Sequence, residues 1–106
     1  MGILEPIKRC FRVDKILYSD HARKEMRTEG LGIIKEQDVF EAIGNGQILE
    51  DYPNDKPYPS ALILGFTGSK NPLHIVCAYD DKDDLAIAVT AYRPDPKRWI
   101  DSKIRR

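Results

Sequence analysis

PLHIVCAYDDKDDLAIAVTAYR, residues 72–93, decides the fold. Leu73–Tyr79 and Leu85–Arg93 are runs rich in branched, aromatic and small apolar residues, and Asp80–Asp84 between them holds no apolar residue. Two such runs joined by a short polar loop read as an antiparallel pair of strands. If Tyr79 pairs with Leu85, His74 stands opposite Thr90 and Ile75 opposite Val89. Side chains alternate between the two faces of a sheet. One face then carries Leu73, Ile75, Cys77, Leu85, Ile87, Val89 and Ala91 and is expected to be the core face. The other carries His74, Val76, Ala78, Ala86, Ala88, Thr90 and Tyr92. That second face is shallow and partly polar, and it is the expected platform for a site.

Upstream, Ser60–Thr67 reads as a strand turned back by Gly68–Asn71. With Phe66 opposite Leu73, Leu64 faces Ile75 and Leu62 faces Cys77, so three strands share one core face. The same register sets Gly65 beside His74 and leaves room there. A one-residue slip would invert these faces. Gln47–Tyr52 is a further strand, and Pro53–Pro59, with three prolines, is a loop.

Three helices are expected before the strands. Ile3–Asp14 carries Ile7, Cys10 and Phe11 at helical spacing. Ser19–Glu29 opens on an N-cap serine, has Asp20 in its first turn and buries Tyr18, Ala22 and Met26. On this helix His21 lies on one flank of the buried stripe, and Arg23 and Arg27 lie on the other. Glu36–Ile43 buries Val39, Phe40 and Ile43, and Gly44-Asn45-Gly46 stops it through residues that tolerate positive φ. Helices followed by strands give an α+β domain, with N-terminal helices on one face of a four-stranded antiparallel sheet. Trp99 and Ile100 read as a short cap over the core edge, and residues 100–106 as a polar basic tail.

A chain of 106 residues, 42% hydrophobic and 32% charged, is expected to form one domain, residues 1–106. No apolar run approaches 18 residues and no secretory leader follows Met1, so a cytoplasmic protein without a membrane span is expected. Cys10 and Cys77 read as free thiols of a reducing compartment. Net charge is zero, which argues against gripping nucleic acid by bulk charge. The charge is nevertheless segregated: residues 1–30 carry +2, residues 31–92 carry −6 and residues 93–106 carry +4.

No CxxC or HxxxH pairing suggests a metal, so no metal and no cofactor is expected. The acidic loop lacks the glycine and distal glutamate of a calcium-binding loop. No nucleophile elbow or phosphate-binding glycine loop occurs. What remains suits phosphodiester cleavage without a metal: His21, Arg23, Arg27, His74, Tyr92 and Arg93, with Thr90 beside them. Histidine moves protons near neutral pH and arginine binds phosphate through two parallel hydrogen bonds.

YSDHARKEM at 18–26 resembles the "S-x-H-A-x-x-x-M" opening of the bacterial domain of unknown function family 4258. The helix ending in GNG, Ile48–Pro53, Pro59–Gly65, PLHIV at 72–76, Thr90-Ala91-Tyr92, Pro94-Asp95 and Trp99 follow in the family's order. The resemblance covers residues 16–99. It implies a fold similar to the RelE-like and barnase-like ribonucleases, and the activity of a toxin ribonuclease from a toxin–antitoxin system. It also implies RNA as substrate and an antitoxin-like protein as partner. The matching polar positions, His21, His74 and Tyr92, become the candidate catalytic residues, and Arg23, Arg27, Thr90 and Arg93 the candidate substrate-binding ones. The alternative is a protein-interaction module that shares the fold and does no catalysis.

Overall fold

The strands flanking the acidic loop occupy the middle of the sheet in the computed structural model, which describes residues 2–106. In chain order the elements are helix α1 (Leu4–Arg12), strand β1 (Ile16–Tyr18), helices α2 (Asp20–Thr28) and α3 (Glu36–Gly44), and strands β2 (Gln47–Tyr52), β3 (Ser60–Phe66), β4 (Pro72–Asp80), β5 (Leu85–Tyr92), β6 (Trp99–Ile100) and β7 (Ile104–Arg105). Five strands form one mixed sheet in the order β1-β5-β4-β3-β2, and β6 pairs with β7 apart from it. The α+β class holds, but the expected four-stranded antiparallel sheet does not. Strands β2 to β5 run antiparallel, and β1 joins β5 in parallel, with Ile16 opposite Ala86 and Tyr18 opposite Ala88. Three residues are too few to show an alternation in the sequence.

The helices form as their residues dictate. The Ser19 hydroxyl caps α2 by accepting from the Ala22 N–H at 3.0 Å. Ile7, Cys10 and Phe11 of α1, Met26 of α2, and Val39, Ala42 and Ile43 of α3 meet Ile63, Leu73, Ile75 and Cys77 in one core cluster. Phe40, expected inside, is exposed, and Ala42 takes the buried position instead. The stop after α3 does not use positive φ: Asn45 has φ −109°. Its side chain bonds the backbone of Phe66 in both directions at 2.8 Å, so it ties the helix end to β3.

Both hairpins are one residue out of the expected register. Asp80, not Tyr79, pairs with Leu85. The Asp80 carboxylate accepts from the N–H groups of Lys82 and Asp83, so it belongs to the turn as its capping residue and draws the strand ends one step further. On the other side Phe66 pairs with Pro72, Leu64 with His74 and Ile63 with Ile75. A bulge at Val89 shifts the register again, leaving Val76 opposite Thr90 and His74 opposite Tyr92.

The slip exchanges the faces of β3, and those of β5 up to the bulge, which returns Ala91 to its expected core position. Ala86 and Ala91 line the core with Ala61 and Ile63, while Leu85 and Ile87 are only half-buried and Val89 is 37% exposed. Small residues on the core side of β5 admit α1 and α2 close to the strand. The same constraint operates at Gly65, where any Cβ would collide with the Ala42 carbonyl of α3. Gly65 therefore makes room for a helix; it faces Leu73 across the ladder and leaves no space beside His74. The second sheet face is not open either: Leu62, Leu64 and His74 are all buried.

Denaturant melts of single variants check this core. Ile75→Ala is expected to cost about 2–4 kcal/mol. Gly65→Ala should cost about 1–3 kcal/mol through overpacking. Val89→Ala, at the exposed bulge, should cost under about 1 kcal/mol. A Val89 effect equal to that of Ile75 would contradict the register.

Candidate functional site

Strand β5 runs on beyond the end of β1, and its free edge is closed by side chains of α2. The Ser19 N–H bonds the Ala88 carbonyl at 3.0 Å, and its hydroxyl donates to the Val89 carbonyl at 2.9 Å. Glu25 accepts from the Thr90 hydroxyl and from the Ala91 N–H, and Glu29 accepts from the Arg93 N–H at 3.0 Å. Ser19, Glu25 and Glu29 thus do along the helix what a sixth strand would do. They deliver Tyr92 and Arg93 to the wall of a cleft of about 650 Å³ between α2 and the C-terminal segment.

The opposite wall is the β6–β7 hairpin. The segment expected as a polar tail turns back on itself, pairing Trp99 with Arg105 and Ile100 with Ile104. Trp99 packs edge-on against His74, with ring centroids 4.4 Å apart. Arg105 lies over the Trp99 ring at 4.7 Å and reaches Glu50 on β2 with two bonds of 2.9 and 3.1 Å. That pair, together with the Tyr52 hydroxyl, holds the Glu50 carboxyl at about 2.

His74 is 0% exposed beneath this hairpin. Its Nε2 lies 2.6 Å from the Ser102 carbonyl and its Nδ1 lies 3.1 Å from the Tyr92 hydroxyl. Burial pushes the imidazole pKa below its ordinary value, so the ring is neutral near pH 7. A carbonyl only accepts, so Nε2 carries the proton, Nδ1 is the acceptor and Tyr92 donates to it. Burial raises the Tyr92 pKa, so the hydroxyl keeps its proton for that bond. The result is a chain from Ser102 through His74 to a phenol that lines the cleft.

The charge of the cleft is uneven. Glu25, Glu29 and Asp95 line it, but each carboxylate accepts from at least one backbone N–H, those of Ala91, Arg93 and Lys97. Arg93, Lys97, Arg98, Arg105 and Arg106 line it too. Among the described residues only Arg105 of these five has a carboxylate partner within salt-bridge distance, and that partner lies on β2. Such a cleft can hold an anion.

The expected site residues divide. His74 and Tyr92 come together here, and Thr90, two residues before Tyr92 on β5, is bonded to Glu25. Arg93 borders the cleft, but its guanidinium is committed to the Gly32 and Ile33 carbonyls at 3.1 and 3.2 Å, clamping the loop after α2. His21 is exposed and lines a separate hollow with Lys24, Glu25 and Thr28, its Nε2 3.8 Å from Glu25, which lines the cleft as well. Arg23 and Arg27 belong to the other flank of α2: Arg23 covers the Tyr18 ring and pairs with Glu36, and Arg27 borders the same hollow. The sequence reading missed Glu25, Glu29, Arg98, Arg105 and Arg106. The +4 charge of residues 93–106 was the signal for the arginines. Among the described residues no three His, Cys, Asp or Glu side chains converge as they would to hold a metal ion. Among the described residues no helix is long and apolar enough to cross a membrane.

A protein-family profile described as "Domain of unknown function (DUF4258)" matches residues 18–93, from the end of β1 to Arg93. No curated protein and no solved structure matches the chain.

The depressed His74 pKa has a stability consequence. The unfolded chain takes up a proton near the ordinary value of 6.5, whereas the folded one resists it. The contribution is therefore complete above about pH 6.5 and is lost as pH falls through the depressed folded value. Urea midpoints should drop between pH 7.5 and pH 5, and His74→Gln should flatten that drop. An NMR titration in which His74 protonates at or above the ordinary value of 6.5 would contradict the assignment.

Proposed function

The chain belongs to the DUF4258 family, whose description names no activity, and from the chemistry of its own cleft we propose that it cleaves RNA without a metal. The observation that carries this reading is the Tyr92–His74–Ser102 chain opening into a cleft whose arginines lack local carboxylate partners. RNA cleavage needs a base for the ribose 2′-hydroxyl proton, an acid for the departing 5′-oxygen and cations for the charge on the phosphorus oxygens. In this reading Tyr92 takes the 2′-hydroxyl proton while passing its own to His74 Nδ1. The imidazolium so formed is stabilised by the Ser102 carbonyl. The 2′-oxygen attacks phosphorus, and the 5′-oxygen leaves with a proton from His21, which stands 3.8 Å from Glu25 on the exposed side of α2. Arg98 and Arg106 neutralise the phosphate. Arg23 and Arg27, on the far flank of α2, take no part, and Thr90 and Arg93 position the strand end and the loop.

On the resemblance to RelE-like toxins, the domain is the toxin of a toxin–antitoxin pair and an antitoxin-like protein is its partner. A second reading, a non-catalytic interaction module, draws support from the complete burial of His74, which no substrate touches directly.

RNA incubated in EDTA with wild type, Tyr92→Phe, His74→Gln and His21→Ala proteins of confirmed folding tests the proposal. Cleavage by wild type should fall more than about 100-fold in Tyr92→Phe. Arg98→Gln with Arg106→Gln should weaken binding. No cleavage of any RNA, with or without ribosomes, would overturn the enzymatic reading in favour of the interaction module.

A further inference from the structure

The two faces of the β6–β7 hairpin differ. Its inner face is fully committed: Trp99 lies against His74, Arg105 stacks on Trp99 and bonds Glu50, and the Ser102 carbonyl binds His74. Consecutive left-handed residues, Asp101 at φ 52° and Ser102 at φ 64°, turn the chain between the strands. Its outer face carries Ile100 and Ile104, directly paired and 39% and 62% exposed. Two ladder positions away, beyond the Trp99–Arg105 pair, the Arg106 N–H bonds the Arg98 carbonyl at 2.9 Å, and both arginine side chains line the cleft. Two apolar side chains therefore stand roughly 7 Å along the strand from two cations without a carboxylate partner, of which Arg106 also donates from Nε to the Pro96 carbonyl at 2.7 Å.

We infer, resting on the reading of the cleft as an RNA site, that this hairpin selects unpaired RNA: Arg98 and Arg106 hold the backbone as it leaves the cleft, and Ile100 and Ile104 receive the face of an unstacked base. The ligand must be anionic, because residues 93–106 carry +4 in a chain whose net charge is zero. It must also offer an apolar surface close to each charge. An unpaired nucleotide does both, since single strands bind where cations track the backbone and apolar side chains meet the bases. A duplex does not: its bases are stacked inside, and it presents phosphates and 2′-hydroxyls alone to a small convex hairpin. The cationic surface is local, so the footprint is short and the salt dependence corresponds to a few phosphates.

A cross-strand pair of β-branched residues also stabilises a short hairpin. Replacing both by threonine keeps the branching and strand preference and removes the apolar contact. Fluorescence anisotropy with labelled unpaired RNA, the same RNA annealed to its complement, and vesicles of phosphatidylglycerol gives the readout, with thermal midpoints measured in parallel. Wild type should bind the single strand about tenfold or more tighter than the duplex. Ile100→Thr with Ile104→Thr should abolish that preference by lowering single-strand affinity, leaving duplex affinity and the thermal midpoint unchanged. Ile104→Thr alone, at the more exposed position, should show part of the loss if the double variant is destabilised. Arg98→Gln with Arg106→Gln should weaken both RNA forms together. Equal binding of the two forms by wild type, or isoleucine-dependent binding to the vesicles and not to RNA, overturns the inference while leaving the cleft reading intact. No binding of either RNA removes both.

Discussion

Backbone groups must find partners, and beyond the end of β1 the outer edge of β5 has no neighbouring strand. The strand β1 covers that edge only as far as Tyr18. A buried N–H left unpaired beyond it would cost about 1–3 kcal/mol. Ser19, Glu25 and Glu29 meet the need from a helix, and among the described residues no buried side-chain nitrogen or oxygen is left without a partner. The orientation of α2 follows from these bonds as much as from its apolar stripe, Ala22 and Met26. So does the chemistry of the cleft. Glu25 and Glu29 turn their oxygens to the edge of β5 and keep their charge, and Arg98 and Arg106 have no carboxylate within salt-bridge distance among the described residues.

The C-terminal hairpin joins fold and site in the same way. An exposed two-stranded hairpin is marginal alone. This one is held by three kinds of contact at once: Trp99 against His74, the Ser102 carbonyl on His74 Nε2, and the fork of Arg105 on Glu50. The last lies partly in water and is worth less than its geometry suggests. His74 thereby has two tasks. It closes the second sheet face, and its accepting nitrogen orients the Tyr92 hydroxyl toward it. Its burial and its link to the cleft are consequences of one contact set.

Much of this was legible from particular residues. Ser19 as a cap, the stripes of α1 and α2, the antiparallel order of β2 to β5 and the burial of Ile75 and Cys77 all rest on local pattern. The register was not legible, because Asp80 reads equally as the end of a strand and the start of a loop. Only its bonds to the Lys82 and Asp83 N–H groups place it in the ladder. That one step moved Ala86 into the core and Ile87 out of it, while the bulge at Val89 kept Ala91 on the core side. Within the site, His74, Thr90 and Tyr92 were visible as a polar cluster at one strand end, although the bulge at Val89 changed which of them are opposite one another.

The sequence by itself determined the class of the fold, the helical faces and the pairing order of the central strands, because periodicity and capping act within a few residues of each other. It determined also that positive charge gathers after residue 92. Only the tertiary structure decided where that charge goes. Arg98, Arg105 and Arg106 face Tyr92 because the chain turns back at Asp101 and Ser102 and anchors on His74 and Glu50, partners 28 and 55 residues away in the chain. Gly65 likewise names no partner in the sequence, and its role appears only when the Ala42 carbonyl is laid against it. Contacts of that separation leave no local pattern, since each depends on the register of strands that neither residue sets.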